Sequence, residues 1–239
     1  MEEKNTLVIL PGWGGTKETW KPFMEMARRN YDVHCIELPC FGSEPCPNEV
    51  WGVEDYADFV KSKIINHKSG IILMGHSFGG AVAVQLVAEH PELVSKLILS
   101  GPAVIRHKLQ LKRKVFGIFA RIGNVIFSIP PLSFFKNTAR KLLYKAADSP
   151  DYPNTSGIQR EIYKKIIRQD VQHLLPDIKI PTLVVAGTKD TYVPFRYSKK
   201  VTQLIPGAKL HSIKEGKHGL HLQDPAGLYR VINEYVVSN

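Results

Sequence analysis

The stretch that decides the fold is Leu73-Met74-Gly75-His76-Ser77-Phe78-Gly79-Gly80. It follows a short apolar run and opens an apolar segment of helical period that continues to Glu89. A Gly-x-Ser-x-Gly pentapeptide between a strand and a helix predicts a sharp, strained turn that presents the serine hydroxyl at the carboxyl end of the strand. The start of the helix also places a positive dipole end near that hydroxyl. The alternative is a purely structural glycine-rich turn.

The rest of the chain repeats this alternation of short apolar runs and longer segments of helical period. The pattern predicts an α/β fold with a doubly wound, mostly parallel six-stranded sheet and helices on both faces. The predicted strands are Leu7–Leu10, Val33–Ile36, Ile71–Met74, Leu97–Leu99, Thr182–Ala186 and Ala208–Ile213. The predicted helices are Glu18–Arg29, Val53–Asn66, Phe78–Glu89, Phe195–Leu204 and Leu222–Val237, the last with a capped start at Asp224-Pro225.

Length and composition exclude several classes of protein. With 239 residues, 44% hydrophobic and 23% charged, the chain is neither collagen-like, nor wholly disordered, nor a disulfide scaffold. Its start lacks a basic segment followed by an apolar one, and no window of about 20 residues is uninterruptedly apolar. The three cysteines, Cys35, Cys40 and Cys46, are odd in number and clustered, so we expect inert, reduced thiols. These features together predict a cytoplasmic location.

One segment interrupts the alternation of strands and helices. Residues 103–175 are predicted to form an inserted helical cap, with 1–102 and 176–239 as the core domain. Between residues 103 and 172 there are 14 Lys and Arg against 4 Asp and Glu, so this segment carries the whole net charge of +10. No strand-like run stands out within it.

A serine hydroxyl needs a base, and the base needs an orienting acid. Asp190 lies just beyond the fifth predicted strand, and His218 lies just beyond the sixth. Because ligands bind where parallel strands end, we expect both side chains at the same sheet edge as Ser77. His221 is the rival base, whereas His76 is expected to have a packing or hydrogen-bonding role.

Other carboxylates fit the role of the acid less well. Asp170 and Asp177 precede the fifth strand and would lie at the wrong end of the sheet. Asp224 is better explained as a helix cap. The strand that ends near Leu99 is followed by Ser-Gly-Pro with no carboxylate, which favours Asp190.

On these motifs the chain resembles the α/β-hydrolase superfamily from end to end, and its smaller single-cap carboxylesterases, monoacylglycerol-lipase-like enzymes and pimeloyl-carrier-protein methyl esterases most of all. The resemblance implies that Ser77 is the nucleophile, Asp190 the acid and His218 the general base. It also implies an oxyanion hole made of the backbone N–H groups of Trp13 and Phe78. Pro11 departs from the family pattern, which usually has His before the oxyanion glycine.

The function implied is hydrolysis of carboxylic esters or thioesters with an apolar acyl group through an acyl-enzyme, with neither a metal nor an organic cofactor. Two alternatives stay open. The same triad can serve a carbon–carbon bond hydrolase, a lyase or a perhydrolase, and the fold can also serve a non-catalytic small-molecule receptor or scaffold.

The basic cap suggests further contacts. It contains an apolar, aromatic stretch from Val115 to Phe135 flanked by Lys and Arg. Such a stretch suits a lid over an acyl pocket, an anionic membrane surface or an acidic carrier, and the lid is the preferred interpretation. No motif supports binding of nucleic acid.

Overall fold

The computed structural model describes residues 4–66, 70–106 and 155–238. Six strands are present: β1 (Thr6–Leu10), β2 (Asp32–Cys35), β3 (Ile71–His76), β4 (Val94–Ser100), β5 (Thr182–Gly187) and β6 (Lys209–Ile213). The α-helices of this part of the chain are α1 (Lys17–Ala27), α2 (Val53–Ile64), α3 (Phe78–Glu89), α4 (Gly157–Ile166), α5 (Phe195–Leu204), α6 (Leu220–Gln223) and α7 (Pro225–Ser238). Short 3-10 helices cover Pro91–Leu93 and Gln172–Asp177.

The strands form one parallel sheet in the order β2-β1-β3-β4-β5-β6. The predicted α/β class and the six-stranded sheet are therefore confirmed. Chain order reverses between β1 and β3, and in open parallel sheets ligands bind at such a switch point, outside the carboxyl ends of the strands. This topology brings the loops after β1, β3, β4, β5 and β6 to a single edge.

Both faces of the sheet are covered, as expected for parallel strands joined by helical crossovers. Alternate residues of β1 separate the two layers: Val8 and Leu10 belong to the cluster that contains α2 and α3. Leu7 and Ile9 belong to the opposite cluster, which contains α1 and α7. The two-residue period of a strand thus supplies one apolar side chain to each layer in turn.

The last predicted helix is interrupted in the structure. The segment predicted as one helix from Leu222 to Val237 is a short α6 followed by α7, with the break at Asp224. Pro225 cannot donate the backbone hydrogen bond that would continue α6, and it suits the first turn of α7. Asp224 Oδ1 accepts from the N–H of Gly227 at 2.9 Å, so the predicted capping role is confirmed.

The expectation of three reduced cysteines is wrong. Cys40 and Cys46 form a disulfide across the loop that follows β2, and Cys35 is the free thiol, buried in β2. Burial, with Glu37 nearby, raises the pKa of Cys35 to about 12, so this thiol stays protonated at neutral pH. Two cysteines six residues apart can close only a small loop, a pairing that an odd cysteine count does not reveal.

The cap prediction falls largely on residues 107–154, which lie outside the described residues. Of the segment 103–175, the structure describes residues 103–106 and α4 with its flanks, and Ile162 and Ile166 of α4 are buried in the core layer of α2 and α3. The boundaries of the cap stay a prediction. In the described ranges, the helices lack the combination of length and hydropathy that crossing a bilayer demands.

Candidate active site at the carboxyl edge of the sheet

Four of the five candidate site residues lie just beyond the carboxyl end of a strand. Trp13 follows β1, Ser77 follows β3, Asp190 follows β5 and His218 follows β6. Phe78 is the first residue of α3. All these strands are parallel, so their carboxyl ends meet and residues as distant in sequence as 77 and 218 share one edge.

Ser77 occupies the strained turn that the motif predicts. Its backbone has φ 51° and ψ −115°, a region that side-chain-bearing residues rarely adopt. The Ser77 N–H donates to the Ser100 carbonyl at 3.1 Å, and the Ser77 carbonyl accepts from Ala103 at 2.9 Å. Gly79 permits the turn, because a Cβ there would collide with the Leu10 carbonyl oxygen. The surrounding backbone therefore holds a conformation that costs about 1–3 kcal/mol in isolation.

Asp190 and His218 are joined by a direct hydrogen bond. Nδ1 of His218 lies 2.8 Å from Oδ2 of Asp190, whose side chain is 1% exposed, while that of His218 is 16% exposed. The other carboxylate oxygen accepts from the N–H groups of Tyr192 at 2.9 Å and Val193 at 2.8 Å. The carboxylate is thus fixed on both oxygens, and the neutral imidazole that donates through Nδ1 keeps Nε2 as its basic nitrogen.

Gly101 lies against this pair. It has φ +51°, and a Cβ at this position would be 3.2 Å from Asp190 Oδ2 and 3.4 Å from His218 Nδ1. Gly101 directly follows Ser100, whose carbonyl receives the Ser77 N–H. The end of β4 therefore connects the strained serine turn to the imidazole–carboxylate pair.

Ser77 shares the edge with the pair without a hydrogen bond to it. Across the described ranges, neither Ser77 Oγ nor the N–H groups of Trp13 and Phe78 make a hydrogen bond. Phe78 N belongs to the first turn of α3, where backbone N–H groups have no partner within the helix. The structure thus brings Asp190 and His218 together and leaves two backbone donors available beside the serine turn.

Aromatic rings line the side of the site next to Trp13. The Trp13 ring makes edge contacts with Phe41, Phe78 and Tyr163, at centroid distances of 4.7, 5.9 and 5.0 Å. Tyr163 lies on α4, so this cluster joins the described part of the predicted cap to the core. The rings of Trp13, Phe41, Phe78 and Tyr163 therefore form an aromatic wall on this side of the site.

The loop that carries Phe41 is held by a buried carboxylate as well as by the disulfide. Glu37 accepts from the N–H of Lys17 at 2.9 Å and from the N–H and hydroxyl of Ser43 at 3.0 and 2.9 Å. Burial opposes ionisation of Glu37, but these hydrogen bonds outweigh it and hold its pKa below the usual range. The loop that contributes Phe41 to the aromatic wall is therefore held by the disulfide and by the hydrogen bonds to Glu37.

The rival base, His221, makes no hydrogen bond with the carboxylate of Asp190. Its ring stacks on Trp20 at 4.0 Å, and its buried Nδ1 has no hydrogen-bond partner among the described residues. Burial, with His218 nearby, lowers the pKa of His221 to about 4. The contact with Asp190 therefore distinguishes His218 from His221.

His76 has the packing and hydrogen-bonding role expected for it. It donates through Nδ1 to the Ser100 carbonyl at 2.9 Å. Burial, with the imidazoles of His218 and His221 nearby, holds its pKa well below the usual range. His76 contacts the rings of both His218 and His221, and burial keeps His76 and His221 uncharged at neutral pH.

Sequence reasoning missed two residues beside the imidazole. Gly101 could have been found from its position in Ser-Gly-Pro directly after a strand, because a glycine at a strand end often marks a close backbone approach. Tyr192, whose ring stacks on that of His218 at a centroid distance of 5.1 Å, gave no such signal.

Comparison with protein families agrees with the observed fold. Residues 5–225 match a family model described as the alpha/beta hydrolase fold. The chain belongs to this family. The match spans every strand and both members of the imidazole–carboxylate pair.

Relatives within the alpha/beta hydrolase family cover nearly the whole chain. A proposed carbamate hydrolase of Pseudomonas savastanoi pv. phaseolicola is 25% identical over 96% of this chain and 93% of its own length. A pimeloyl-[acyl-carrier protein] methyl ester esterase of Aeromonas hydrophila is 24% identical over 96% of this chain and 94% of its own. The solved structure of an esterase from Exiguobacterium antarcticum superposes with a TM-score of 0.75 at 20% identity, over 99% of this chain and 93% of that one. This last likeness is one of fold.

Proposed function

We propose that the protein is a serine hydrolase that cleaves carboxylic esters or thioesters with an apolar acyl group. The observation that carries the proposal is the 2.8 Å hydrogen bond between His218 and Asp190 at the sheet edge where the strained Ser77 turn lies. An oriented imidazole beside a serine held in a strained turn is the arrangement that activates a hydroxyl for acyl transfer. The methyl ester esterase among the relatives supports an ester as the substrate.

The proposed reaction starts with the attack of Ser77 Oγ on the substrate carbonyl carbon while Nε2 of His218 takes the hydroxyl proton. Asp190 holds the tautomer and balances the positive charge of the imidazolium. The N–H groups of Trp13 and Phe78 donate to the oxygen of the tetrahedral intermediate, each contributing roughly 3–4 kcal/mol by analogy with related enzymes. In free enzymes, catalytic hydrogen bonds are often longer than in the substrate complex, so the serine–imidazole bond forms on binding.

Three proton transfers complete the cycle. The imidazolium of His218 gives its proton to the leaving alcohol or thiol, which departs and leaves an acyl ester on Ser77. Water then attacks this ester while His218 accepts its proton, and the acid is released as Ser77 regains its hydrogen. The aromatic wall around Trp13 supports an apolar acyl group, because such rings offer it contacts but few hydrogen bonds.

The test combines covalent labelling with turnover. A fluorophosphonate probe should label the wild-type protein and leave Ser77→Ala unlabelled. The matched control is Ser62→Ala, an exposed serine on α2, which should label like the wild type. Labelling that survives Ser77→Ala would refute Ser77 as the nucleophile.

A substrate panel tests the ester part of the proposal. It contains p-nitrophenyl esters of increasing acyl length, a thioester, a monoacylglycerol and a methyl carbamate, each measured with wild type and Ser77→Ala. We expect turnover of esters by the wild type and a fall to background in Ser77→Ala. Turnover of the carbamate alone would exclude carboxylic esters as the substrate class but leave the assignment of Ser77 as the nucleophile intact. A folded wild type that neither labels nor turns over any substrate would favour the receptor alternative.

A further inference from the structure

The aromatic ring that stacks on His218 comes from the exposed side of the site. Tyr192 is 60% exposed, yet its ring lies within 5.1 Å of the His218 ring at an interplanar angle of only 16°. A tyrosine this exposed gains little from burial, so core packing does not explain its place. The near-parallel contact is an offset stack that covers part of the imidazole.

The imidazole is also contacted from the buried side. The ring of His76 lies 4.8 Å from that of His218 at 42°, and its hydrogen bond to Ser100 fixes it in place. Asp190 restrains Nδ1 of His218, so the three neighbours together limit rotation of the ring. Tyr192 is the one of these three that sequence reasoning did not single out.

The groups around His218 differ in whether they attract or oppose a positive charge on its imidazole. His76 and His221 are kept uncharged by burial, and a charge on either would oppose a charge on His218. Among the groups that the structure describes in contact with His218, the carboxylate of Asp190 and the face of the Tyr192 ring are those that attract a cation. A cation within about 6 Å of an aromatic centroid is stabilised by the ring quadrupole.

We propose that Tyr192 is a positioning residue whose ring orients the His218 imidazole and stabilises its protonated form during turnover. The proposal rests on the proposed function, in which His218 carries the proton between Ser77, the leaving group and water. The Tyr192 ring acts through His218 and is not proposed to contact the substrate.

The backbone and the ring of Tyr192 can be tested separately. The N–H of Tyr192 donates to Asp190, and a side-chain substitution leaves this hydrogen bond in place. Tyr192→Phe keeps the stacked ring, and Tyr192→Leu keeps an apolar side chain without it. Tyr229→Leu is the control, because Tyr229 lies on α7 with its ring against Phe23.

The experiment measures kcat and KM for a p-nitrophenyl ester, the rate of fluorophosphonate labelling, and the melting temperature. We expect Tyr192→Leu to lower kcat about 10-fold, equivalent to about 1.4 kcal/mol, with KM unchanged. The labelling rate should fall by the same factor, because labelling also needs an activated Ser77. Tyr192→Phe and Tyr229→Leu should stay within about 2-fold of wild type, and Tyr192→Leu should melt like wild type.

Four results would overturn the proposal. An unchanged kcat in Tyr192→Leu would deny the ring a role. A raised KM with kcat unchanged would mean that the ring contacts substrate instead, and a Tyr192→Phe variant as slow as Tyr192→Leu would assign the effect to the hydroxyl. Failure of the proposed function is distinguishable, because it shows as absent turnover in the wild type or as activity that survives Ser77→Ala. A substantial fall in the melting point of Tyr192→Leu would reject the positioning role in favour of a structural one.

Discussion

Replacement of Gly101 by alanine should lower both the free energy of unfolding and kcat, and comparison with a control variant should separate the two effects. Gly101 has φ +51°, where alanine costs about 1–2 kcal/mol relative to its preferred backbone. The added Cβ would be 3.2 Å from Asp190 Oδ2, which is tighter than most real Cβ contacts, and 3.4 Å from His218 Nδ1, which is close to an ordinary contact. The 2.8 Å hydrogen bond between these two groups must therefore shift by a few tenths of an ångström.

The expected effect on rate follows from that shift. A misplacement of about 1 Å costs roughly 100-fold in rate, so a shift of about 0.3–0.5 Å should lower kcat about 4- to 10-fold. The free energy of unfolding should fall by about 1–2 kcal/mol from the backbone conformation. Urea unfolding and initial rates at saturating p-nitrophenyl ester measure the two quantities on the same preparation.

Gly207→Ala supplies the matched control. Gly207 also has a positive φ, +74°, but no described atom lies within 4 Å of an added Cβ, and the turn precedes β6 at the opposite edge of the sheet. It should lose a similar free energy of unfolding and keep its full kcat. A Gly101→Ala enzyme with wild-type kcat would refute the reasoning, as would equal losses of kcat in both variants.

The remaining predictions concern the acid, the rival imidazole and the disulfide. Asp190→Asn should lower ester turnover by about 10⁴-fold at unchanged melting temperature, because the amide cannot hold the tautomer that His218 needs, and unchanged turnover would move the acid elsewhere. His221, with a pKa of about 4 when folded and 6.5 as the reference, takes up its proton mainly in the unfolded state. Protonation of His221 in the unfolded state should lower the free energy of unfolding by about 2 kcal/mol from pH 7 to pH 5. In His221→Phe, the free energy of unfolding measured with urea should depend less on pH over that range, and kcat should equal that of the wild type. Reduction of Cys40–Cys46 should cost about 2 kcal/mol of unfolding free energy for so short a loop, and a thiol assay of the denatured, unreduced protein should find one thiol, not three.

The elements of the core were predictable because their signals are local. All six strands and the starts of α2, α3 and α5 lie where apolar period and flanking residues indicate. The strain at Ser77 was predictable for the same reason, since its glycine neighbours, preceding strand and following helix are consecutive in the chain. Asp224 shows the limit of such signals: the cap was recognised, but the short helix before it was merged with α7.

Choices between distant partners depended on the tertiary structure. Sequence placed both His218 and His221 near the edge, and the hydrogen bond to Asp190 distinguishes them through the side-chain directions of one turn. The stack of Tyr192 on His218 arises in the same way. The chain by itself determined which segments are strands, which residue sits in the strained turn and which family it belongs to, because backbone preference and burial period act over a few neighbouring residues. Which imidazole meets the carboxylate, which ring covers it and which cysteines pair were decided only when strand order and packing brought separate loops to one edge.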